Sequence, residues 1–542
     1  MPRNIEFVFK MAEKKRVFVR DATGLVREAG LLDILQFNAV SVTGVSIISG
    51  SMLLLPLITS GSGIWQSITI GFILALFVNT TYYALSVTIP RSGGDYIYIS
   101  RLLHPALGVL SAGLTGIFGA LILSSTFGAT VWVTAGVGPL LSIIGRGDLA
   151  VAVSTTTALT IAGILSTAFF GALLIFGGNR AFFRLNNVLY AIAILGVIVG
   201  ASAFLVAGHG QFLSSFDAFA QPYQTSSADI MTTANSLGFK MPGDDMGSVM
   251  IASALLFTSF YWATQSSYLG GEIKHTRTTH FWGMIGSSIL WFALTLFAIA
   301  AAYYTIGPEL SSAASFLNFF HADAWKIPSI SFFALYANIA SRSAFAAILI
   351  SLAFIFGYIT VTGWSYVIFS RAVFALSFDR FLPAGLADIN ERYHTPVKAL
   401  LTYGILNVIF LALLIFPSTA VTLYTYAVGL NVVYMLSFFF ASIALVVLPY
   451  KNKGLFETSC PIKQRIGGVP LVSIIGVISA VLLAYYEYVV LANAVYFGVT
   501  ANFLTLMVGF IVFFLVLYFV VSAYRKSKGI DLGLVYKEIP PE

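Results

Sequence analysis

The stretch Thr43–Pro56 reads TGVSIISGSMLLLP and lies in an apolar run that opens near Leu31 and is long enough to cross a membrane. Ser49-Gly50-Ser51 interrupts this run at its middle. Inside hydrocarbon every backbone N–H and C=O needs a partner, so residues that loosen a helix there are tolerated where protein, water or a ligand meets the freed groups. Many transporters hold a substrate halfway across the bilayer between such exposed helix ends. We therefore predict a broken helix and a binding site at Ser49–Ser51.

The composition places the chain in a membrane. Of its 542 residues, 58% are hydrophobic, 15% are aromatic and only 9% are charged, which is too little polar surface to cover a soluble globule of this size. About 20 apolar residues cross the ~30 Å of hydrocarbon. Runs of that length predict twelve spans, at roughly 31–59, 66–89, 106–139, 151–177, 186–208, 248–270, 280–306, 332–369, 397–416, 420–448, 469–492 and 500–523.

Basic residues divide unevenly between the two sets of connecting segments. If the N-terminus is cytoplasmic, all 29 Lys and Arg residues fall on the cytoplasmic side except Arg146, Lys240, Lys326 and Arg342. Cytoplasmic segments of membrane proteins carry the excess of positive charge, so we predict a multi-pass protein of the cell membrane with both termini in the cytoplasm. The net charge of +7 then follows from topology and from contact with membrane lipid, and no nucleic-acid partner is needed to explain it.

Other features narrow the class further. Cys460 is the only cysteine, so no internal disulfide can form. The first thirty residues lack a short apolar core with a small-residue cleavage site, and we expect the first span to direct insertion. All six histidines fall in loops or at span ends, and no paired carboxylates lie at mid-membrane. We therefore predict no enzyme activity, no metal site and no cofactor.

The predicted spans suggest two halves of opposite topology. The segments are a cytoplasmic N-terminal segment 1–30, a first inverted repeat 31–208, an extracytoplasmic loop 209–247, a second repeat 248–448, two further spans in 449–523 and a cytoplasmic tail 524–542. In such a pair of repeats, the sixth span should be broken at the point that matches Ser49–Ser51. Polar residues cluster there around Phe260-Tyr261-Trp262, but glycine and proline are absent. Unwinding and a continuous helix with a polar interface both stay open.

Three separated motifs carry a family resemblance. They are PRSGGDYIYISR at 90–101, GEIK at 271–274, and SRAVFALSFDRFLP at 370–383 with the residues that follow as far as Pro396. Together with the interrupted first span, they resemble the amino acid, polyamine and organocation permease superfamily over most of the chain. The resemblance implies an all-α membrane protein with the leucine-transporter fold, in which two inverted five-helix repeats are followed by two additional helices.

The resemblance also implies where a substrate would bind. Backbone N–H groups near Ser49–Ser51 would face its carboxylate, and carbonyl groups of the sixth span would face its ammonium group. The implied substrate-binding residues are Ile47, Ser49, Gly50 and Ser51 in the first span, Thr258, Ser259, Phe260, Tyr261 and Trp262 in the sixth, and Phe118, Gly119 and Thr126 in the third. Trp262 departs from the small residue usual in the family and would shrink the pocket or act as a lid.

Charged residues of the motifs are candidates for gating on the cytoplasmic side. They are Arg91, Asp95, Glu272, Lys274, Arg371 and Asp379. Asp379 and Arg380 beside Arg371 fit either a charge network that changes during transport or a solvated surface pair. Glu272 with Lys274 fits either an inner gate or two side chains that extend to the interface.

Few ionisable groups lie at membrane depth, where they are costly and mark function. Glu487 sits among tyrosines towards the outer interface, which favours an aromatic-belt position over a proton relay. The fifth span has no lysine to replace a bound sodium ion, while Ser351, Thr360 and Thr362 in the eighth span offer hydroxyls to a sodium site. A proton gradient is favoured on family grounds, and sodium coupling and exchange without a coupling ion stay open.

The function indicated is a secondary active transporter that carries amino acids or related amines by alternating access, as a proton-coupled symporter. Neutral or aromatic amino acids are favoured, because no charged side chain is predicted in the pocket. The alternatives are an amino acid or amine exchanger, a sodium-coupled symporter, and a membrane nutrient receptor that binds without transport. The sequence leaves the oligomeric state open.

Overall fold

The computed structural model describes residues 24–41, 44–330 and 333–539, so most of the predicted N-terminal segment 1–30 lies outside the described residues. The chain is almost entirely helical. Its α-helices, in chain order, are α1 Leu31–Ser41, α2 Gly44–Ile58, α3 Ser62–Thr88, α4 Asp95–Leu102, α5 Pro105–Ile143, α6 Gly147–Val153, α7 Thr156–Ala220, α8 Ser227–Ser236, α9 Met246–Phe260, α10 Thr276–Ile306, α11 Pro308–Phe320, α12 Phe333–Ser341, α13 Ala344–Phe378, α14 Val397–Leu413, α15 Pro417–Lys451, α16 Lys453–Ser459, α17 Leu471–Ala492, α18 Ala501–Ser527 and α19 Leu532–Val535.

Tighter and wider helical turns interrupt this pattern. Wide π-helical turns occur within α5 at Ala112–Gly119, Ser124–Val131 and Val133–Val137 and within α10 at Trp282–Gly286. Tight 3₁₀ turns form Gln221–Tyr223, Tyr261–Tyr268, Gly270–Glu272 and Ala384–Ala387. A small hairpin pairs β1 Arg465–Ile466 antiparallel to β2 Val469–Pro470. Because π-helical turns cluster at functional sites, their concentration in α5 draws attention to that helix.

The prediction of an all-α polytopic membrane protein is confirmed. Ten helical stretches in the described residues are long and apolar enough to cross a membrane. The longest of them contains α7, in which Gly178 (φ 69°) and Gly208 (φ 66°) leave helical geometry. The helix α14 is apolar but has only 17 residues. A count of twelve spans requires two spans in α7 and the addition of α14, and it stays a prediction.

The predicted break at Ser49-Gly50-Ser51 is wrong. These residues lie inside α2, which is helical from Gly44 to Ile58. Val42 and Thr43, between α1 and α2, lie outside the described residues. The helix α2 packs against α9, α10, α11 and α13, and these contacts outweigh the ~1 kcal/mol that a glycine costs inside a helix.

The sixth span does leave the α-helical form at the predicted point. The helix α9 ends at Phe260, and the chain continues as 3₁₀ helix from Tyr261 to Tyr268. Side chains from neighbouring helices bond the carbonyl group at this end: Asn79 Nδ2 donates to Phe260 O (3.2 Å), and Ser288 Oγ donates to the same atom (3.4 Å). The sixth span thus changes from α-helix to 3₁₀ helix without glycine or proline, and α3 and α10 supply polar partners to the carbonyl group at this change.

The two ends of the described chain lie on one face of the molecule, which we call the tail face. Ala29 pairs with Ile273 after the sixth span, and the Tyr536 hydroxyl lies 3.2 Å from that of Tyr96 before α5. The opposite face, the loop face, carries the connections on the other side of the bundle. There Ser60 Oγ donates to Pro242 O (2.6 Å), joining the end of α2 to the segment before α9.

Candidate functional site

A cavity of about 810 Å³ lies between the helices α2, α5, α9, α13 and α15. It extends to the loop face, where Phe319, Ile330 and the segment 494–500 border it. The residues of the helices that line it are Ser46, Ile47, Gly50, Ser51, Leu53, Leu54, Leu123, Phe127, Val131, Thr134, Leu159, Leu255, Thr258, Ser259, Trp262, Tyr358, Val361, Trp364, Tyr424, Thr425, Ala427, Val428 and Asn431. A cavity of this size is large enough for a drug-sized molecule.

The cavity wall is apolar and aromatic. No Asp, Glu, Lys, Arg or His is among the described residues that line it, and its polar side-chain groups are hydroxyls, the Asn431 amide and the indole N–H groups of Trp262 and Trp364. Aromatic rings close it towards the tail face: the Trp262 and Trp364 rings lie 6.0 Å apart, and Tyr434 lies 4.2 Å beneath Trp262. A wall of this kind suits an apolar group and excludes an unpaired charge on a side chain of the ligand.

Residues of α2 and of the end of α9 face each other across this cavity. Ser46, Ile47, Gly50 and Ser51 border it from α2. Thr258 and Ser259 border it from the last turn of α9, which ends at Phe260. The helix dipole of α9 places partial negative charge at this end, which suits an ammonium group without a charged side chain.

Six of the predicted binding residues line the cavity together. They are Ile47, Gly50, Ser51, Thr258, Ser259 and Trp262. Ser49, Phe260 and Tyr261 are buried on other faces of their helices and do not border it. Gly50 has no atom within 4 Å of the position that a Cβ would take. The glycine therefore leaves room in the cavity instead of breaking the helix.

The three predicted residues of the third span do not border the cavity. Phe118 packs on Phe510 of α18, with ring centroids 4.0 Å apart, and Gly119 contacts the Tyr434 ring. Thr126 Oγ1 donates to Ile122 O within its own helix (2.6 Å). Their neighbours Leu123 and Phe127 line the cavity instead. The wide turns of α5 rotate its faces away from the 3.6-residue period, which a sequence pattern cannot anticipate.

The hydroxyls proposed for a sodium site are not brought together. Ser351 and Thr360 are nine residues apart on the continuous helix α13, which is ~13 Å along its axis. Ser351 Oγ accepts from Asn338 Nδ2 (3.0 Å), and Thr360 Oγ1 donates to Phe356 O (2.9 Å). Thr362 lies on another side of the helix, against Gly128. These three residues cannot coordinate one ion in this conformation. Among the described residues, no group of three or more His, Cys, Asp or Glu could hold a metal ion.

A buried ion pair closes the tail face beneath the cavity. Arg371 Nε and Nη2 each donate to the Glu272 carboxylate at 2.8 Å, and Asn179 Nδ2 donates to Glu272 Oε2 (2.5 Å). The side chains of Arg371 and Glu272 are 0% and 4% exposed. Lys274, the neighbour considered as the partner of Glu272, is exposed instead, and its backbone N–H bonds Ala29 O. The pair joins the sixth span to α13 and holds the two together.

Asp379 forms a second buried cluster with residues that sequence reasoning did not connect to it. Arg101 Nη2 donates to both of its carboxylate oxygens (2.8 and 2.6 Å), and the Tyr96 hydroxyl donates to Oδ2 (2.6 Å). Burial, and then the Asp379 charge, hold the pKa of Tyr96 well above its ordinary value, so this phenol stays a donor. The ring of Tyr536, in the tail, packs edge-to-face against that of Tyr96 and lies under the Arg101 guanidinium. Tyr96 and Arg101 belong to the first sequence motif, and these aromatic and basic residues were the sequence signal for this cluster.

Other predicted gating residues lie close to these pairs. The backbone of Arg91 packs against Gly270, where a Cβ would lie 2.7 Å from Arg91 O. Asp95 is 1% exposed and accepts from Ser111 Oγ (3.1 Å). Glu487 is half-buried on α17, between the exposed Tyr485 and Tyr488. The first two belong to the closed tail face, and the third does not border the cavity.

Comparison with known proteins matches residues 34–516 to the amino acid permease family. The chain belongs to this family. The match covers α2, α9, the cavity and both buried ion pairs. The candidate site of the permease therefore lies within the matched residues. No curated protein matches the chain in a sequence search. The family makes the protein a multi-pass membrane transporter for amino acids, and the superfamily resemblance seen in the three motifs is confirmed.

Proposed function

We propose that the permease is a secondary active transporter that carries neutral amino acids with large apolar or aromatic side chains, by alternating access, in symport with protons. The observation that carries this proposal is a large aromatic cavity, without a charged lining residue in the described chain, that lies between α2 and the end of α9. The last turn of α9 would receive the ammonium group of the substrate, and backbone N–H groups of the first span would receive its carboxylate, as the superfamily resemblance implies.

The size and lining of the cavity support the choice of side chain. A charged side chain would lose its hydration in this wall without gaining an ionic partner, at a cost of several kcal/mol. An aromatic side chain would meet Phe127, Trp262, Tyr358 and Trp364. Each ring pair of this kind contributes ~0.5–1.5 kcal/mol beyond the area that it buries.

The arrangement of open and closed faces supports alternating access. The cavity extends to the loop face, whereas Trp262, Tyr434 and the Glu272–Arg371 pair close it towards the tail face. We propose that this is the outward-facing state in the cell membrane, with both termini cytoplasmic, and that the two inverted repeats rock to expose the cavity on the tail face. An exchanger and a sodium-coupled symporter would use the same cavity.

The substrate can be tested by the thermal stability of the purified permease. Phenylalanine at 100 times its dissociation constant is expected to stabilise the fold by ~2.7 kcal/mol. 2-Phenylethylamine lacks the carboxylate and 3-phenylpropionate lacks the ammonium group, so neither is expected to raise the melting temperature comparably. Arginine and glutamate serve as controls for side-chain charge. Stabilisation by the charged amino acids alone would contradict the proposed specificity.

Transport is tested in proteoliposomes with the amino acid that stabilises most. Counterflow of labelled substrate is expected, and binding without counterflow would identify a receptor instead. Uptake driven by an imposed pH gradient is expected from a symporter with protons. Uptake that needs a sodium gradient would identify a sodium-coupled symporter. Uptake that needs only substrate on the opposite side would identify an exchanger.

A further inference from the structure

Asp95 is a buried carboxylate for which the proposed substrate site has no use. It is the first residue of α4, on the tail face, and is 1% exposed. Its Oδ1 atom has no hydrogen-bond partner in the described part of the chain, and no Lys, Arg or His there forms an ion pair with it. A carboxylate removed from water without a cation is costly, and in proteins such groups take up a proton instead.

The groups around Asp95 are hydroxyls and paired charges. Ser111 Oγ, on α5, donates to Oδ2 at 3.1 Å, and Thr115 Oγ1 lies 3.4 Å from the same oxygen while it donates to Ser111 O (2.7 Å). Tyrosines are the titratable groups that face Asp95, and they come from α3, the 3₁₀ segment and α15: Tyr82, Tyr268 and Tyr434. The nearby charges of α4, α13 and the sixth span are engaged in the Arg101–Asp379 and Arg371–Glu272 pairs. Burial raises the pKa of Asp95 to about 6, although the hydroxyl donors oppose this rise.

The contacts of Asp95 run to the floor of the cavity. The Tyr268 hydroxyl lies 2.9 Å from Thr115 Oγ1, and Tyr268 belongs to the 3₁₀ segment of the sixth span. The Tyr434 hydroxyl donates to Thr115 O (3.1 Å), and its ring packs beneath Trp262. A path from the cavity to the tail face has to separate these rings from Thr115. Asp95 would then meet water, so its burial belongs to the closed state.

We propose that the Asp95 carboxyl group is a proton-binding site that holds the tail face closed when it is protonated and releases its proton when that face opens. This inference rests on alternating access in the proposed function. The reaction is the binding and release of one proton at one carboxylate. Since the closed state binds the proton more tightly, acid favours closure, and this preference is lost as the pH rises through about 6.

The size of the effect follows from the pKa values of Asp95 in the closed and in the open state. An Asp exposed in the open state has the ordinary value of about 3.9, so raising the pH from 5.0 to 7.5 should increase the open fraction about tenfold while the closed state dominates. A buried reporter detects opening. Ser267 is fully buried beside Tyr268, and its hydroxyl has no partner among the described residues, so Ser267→Cys changes little. Cys460→Ser removes the native thiol.

The experiment measures the rate at which an impermeant maleimide, added on the tail face, labels this reporter in proteoliposomes. Asp388→Asn is the matched control, since Asp388 is an exposed carboxylate on the tail face that pairs with Lys398. Rates are divided by those of Asp95→Asn at each pH, which cancels the titration of the thiol. For the protein with Asp95, the ratio of its labelling rate to that of Asp95→Asn is expected to rise about tenfold from pH 5.0 to 7.5. Ser111→Ala removes the donor to the charged form and should move the response to higher pH.

Two results would overturn the inference. A ratio that does not change with pH, so that Asp95→Asn responds like Asp388→Asn, would exclude Asp95 as the proton site while leaving alternating access intact. Labelling that stays absent at every pH, in all variants and with amino acid present, would overturn alternating access and the proton site with it. If Asp95→Asn does not fold, the labelling rates of Ser111→Ala are divided by those of the unaltered residue at each pH, and a ratio that does not change with pH would independently exclude Asp95 as the proton site.

Discussion

Replacing Arg371 by methionine is expected to destabilise the permease by ~3–5 kcal/mol and to abolish transport, because it leaves the buried Glu272 carboxylate without its cation. The guanidinium is fully buried and makes two bonds of 2.8 Å to that carboxylate. Methionine keeps much of the side-chain volume, so the loss reflects charge and hydrogen bonds and not a cavity. Thermal unfolding of the purified protein and uptake into proteoliposomes measure the two effects.

An exposed ion pair on the tail face provides the control. Lys398 and Asp388 pair at 2.5 Å, but both side chains are 61% exposed, so Lys398→Met should cost at most ~1 kcal/mol. The double variant Arg371→Met with Glu272→Met should recover part of the stability, since it leaves no buried charge. Equal melting temperatures for Arg371→Met and Lys398→Met would contradict a structural role for the buried pair.

Replacing Gly50 by leucine is expected to lower uptake at least tenfold while the protein stays folded. No atom lies within 4 Å of the position that a Cβ would take, so the new side chain would extend into the cavity and occupy the space proposed for the substrate. The backbone of α2 is helical at this position, so Gly50→Ala should raise helix stability by ~0.5–1 kcal/mol and keep most of the transport. Uptake and melting temperature are measured for both variants.

Gly119 offers a contrast on the third span. A Cβ there would lie 2.5 Å from the Tyr434 hydroxyl, so Gly119→Ala should lower the melting temperature through crowding, whereas the Gly50 variants should not. If Gly50→Leu transports as well as the unaltered permease, the cavity beside Gly50 is not the substrate site. If Gly50→Leu fails to fold, the space at Gly50 is less open than its surroundings indicate.

Local patterns predicted the class of fold but misplaced one of its functional details. Apolar runs of membrane length sufficed to predict an all-helical membrane protein, because hydrocarbon demands backbone bonds within each span. Ser49-Gly50-Ser51 was the wrong place for the break, since packing on four helices keeps α2 continuous there. The sixth span changes from α-helix to 3₁₀ helix at a point without glycine or proline, since the partners of the Phe260 carbonyl come from α3 and α10.

The residues of the candidate site were also predicted only in part. Ile47, Gly50, Ser51, Thr258, Ser259 and Trp262 border the cavity as the family resemblance implies. Phe118, Gly119 and Thr126 do not, because the wide turns of α5 change which of its faces meets the cavity. The charged residues of the motifs were recognised, but Glu272 pairs with Arg371, 99 residues away, and Asp379 pairs with Arg101, 278 residues away.

The sequence by itself determined that the chain is a helical membrane protein and that its three motifs resemble those of amino acid permeases, because solvation in hydrocarbon and family motifs act through local patterns. Only the tertiary structure decided which residues share the cavity, where the α-helix of the sixth span ends, and which buried charges are neutralised. These features depend on contacts between helices far apart in the chain. The free energy needed to bury a charged carboxylate such as Asp95 or Glu272 is small or large according to the group that packing places beside it.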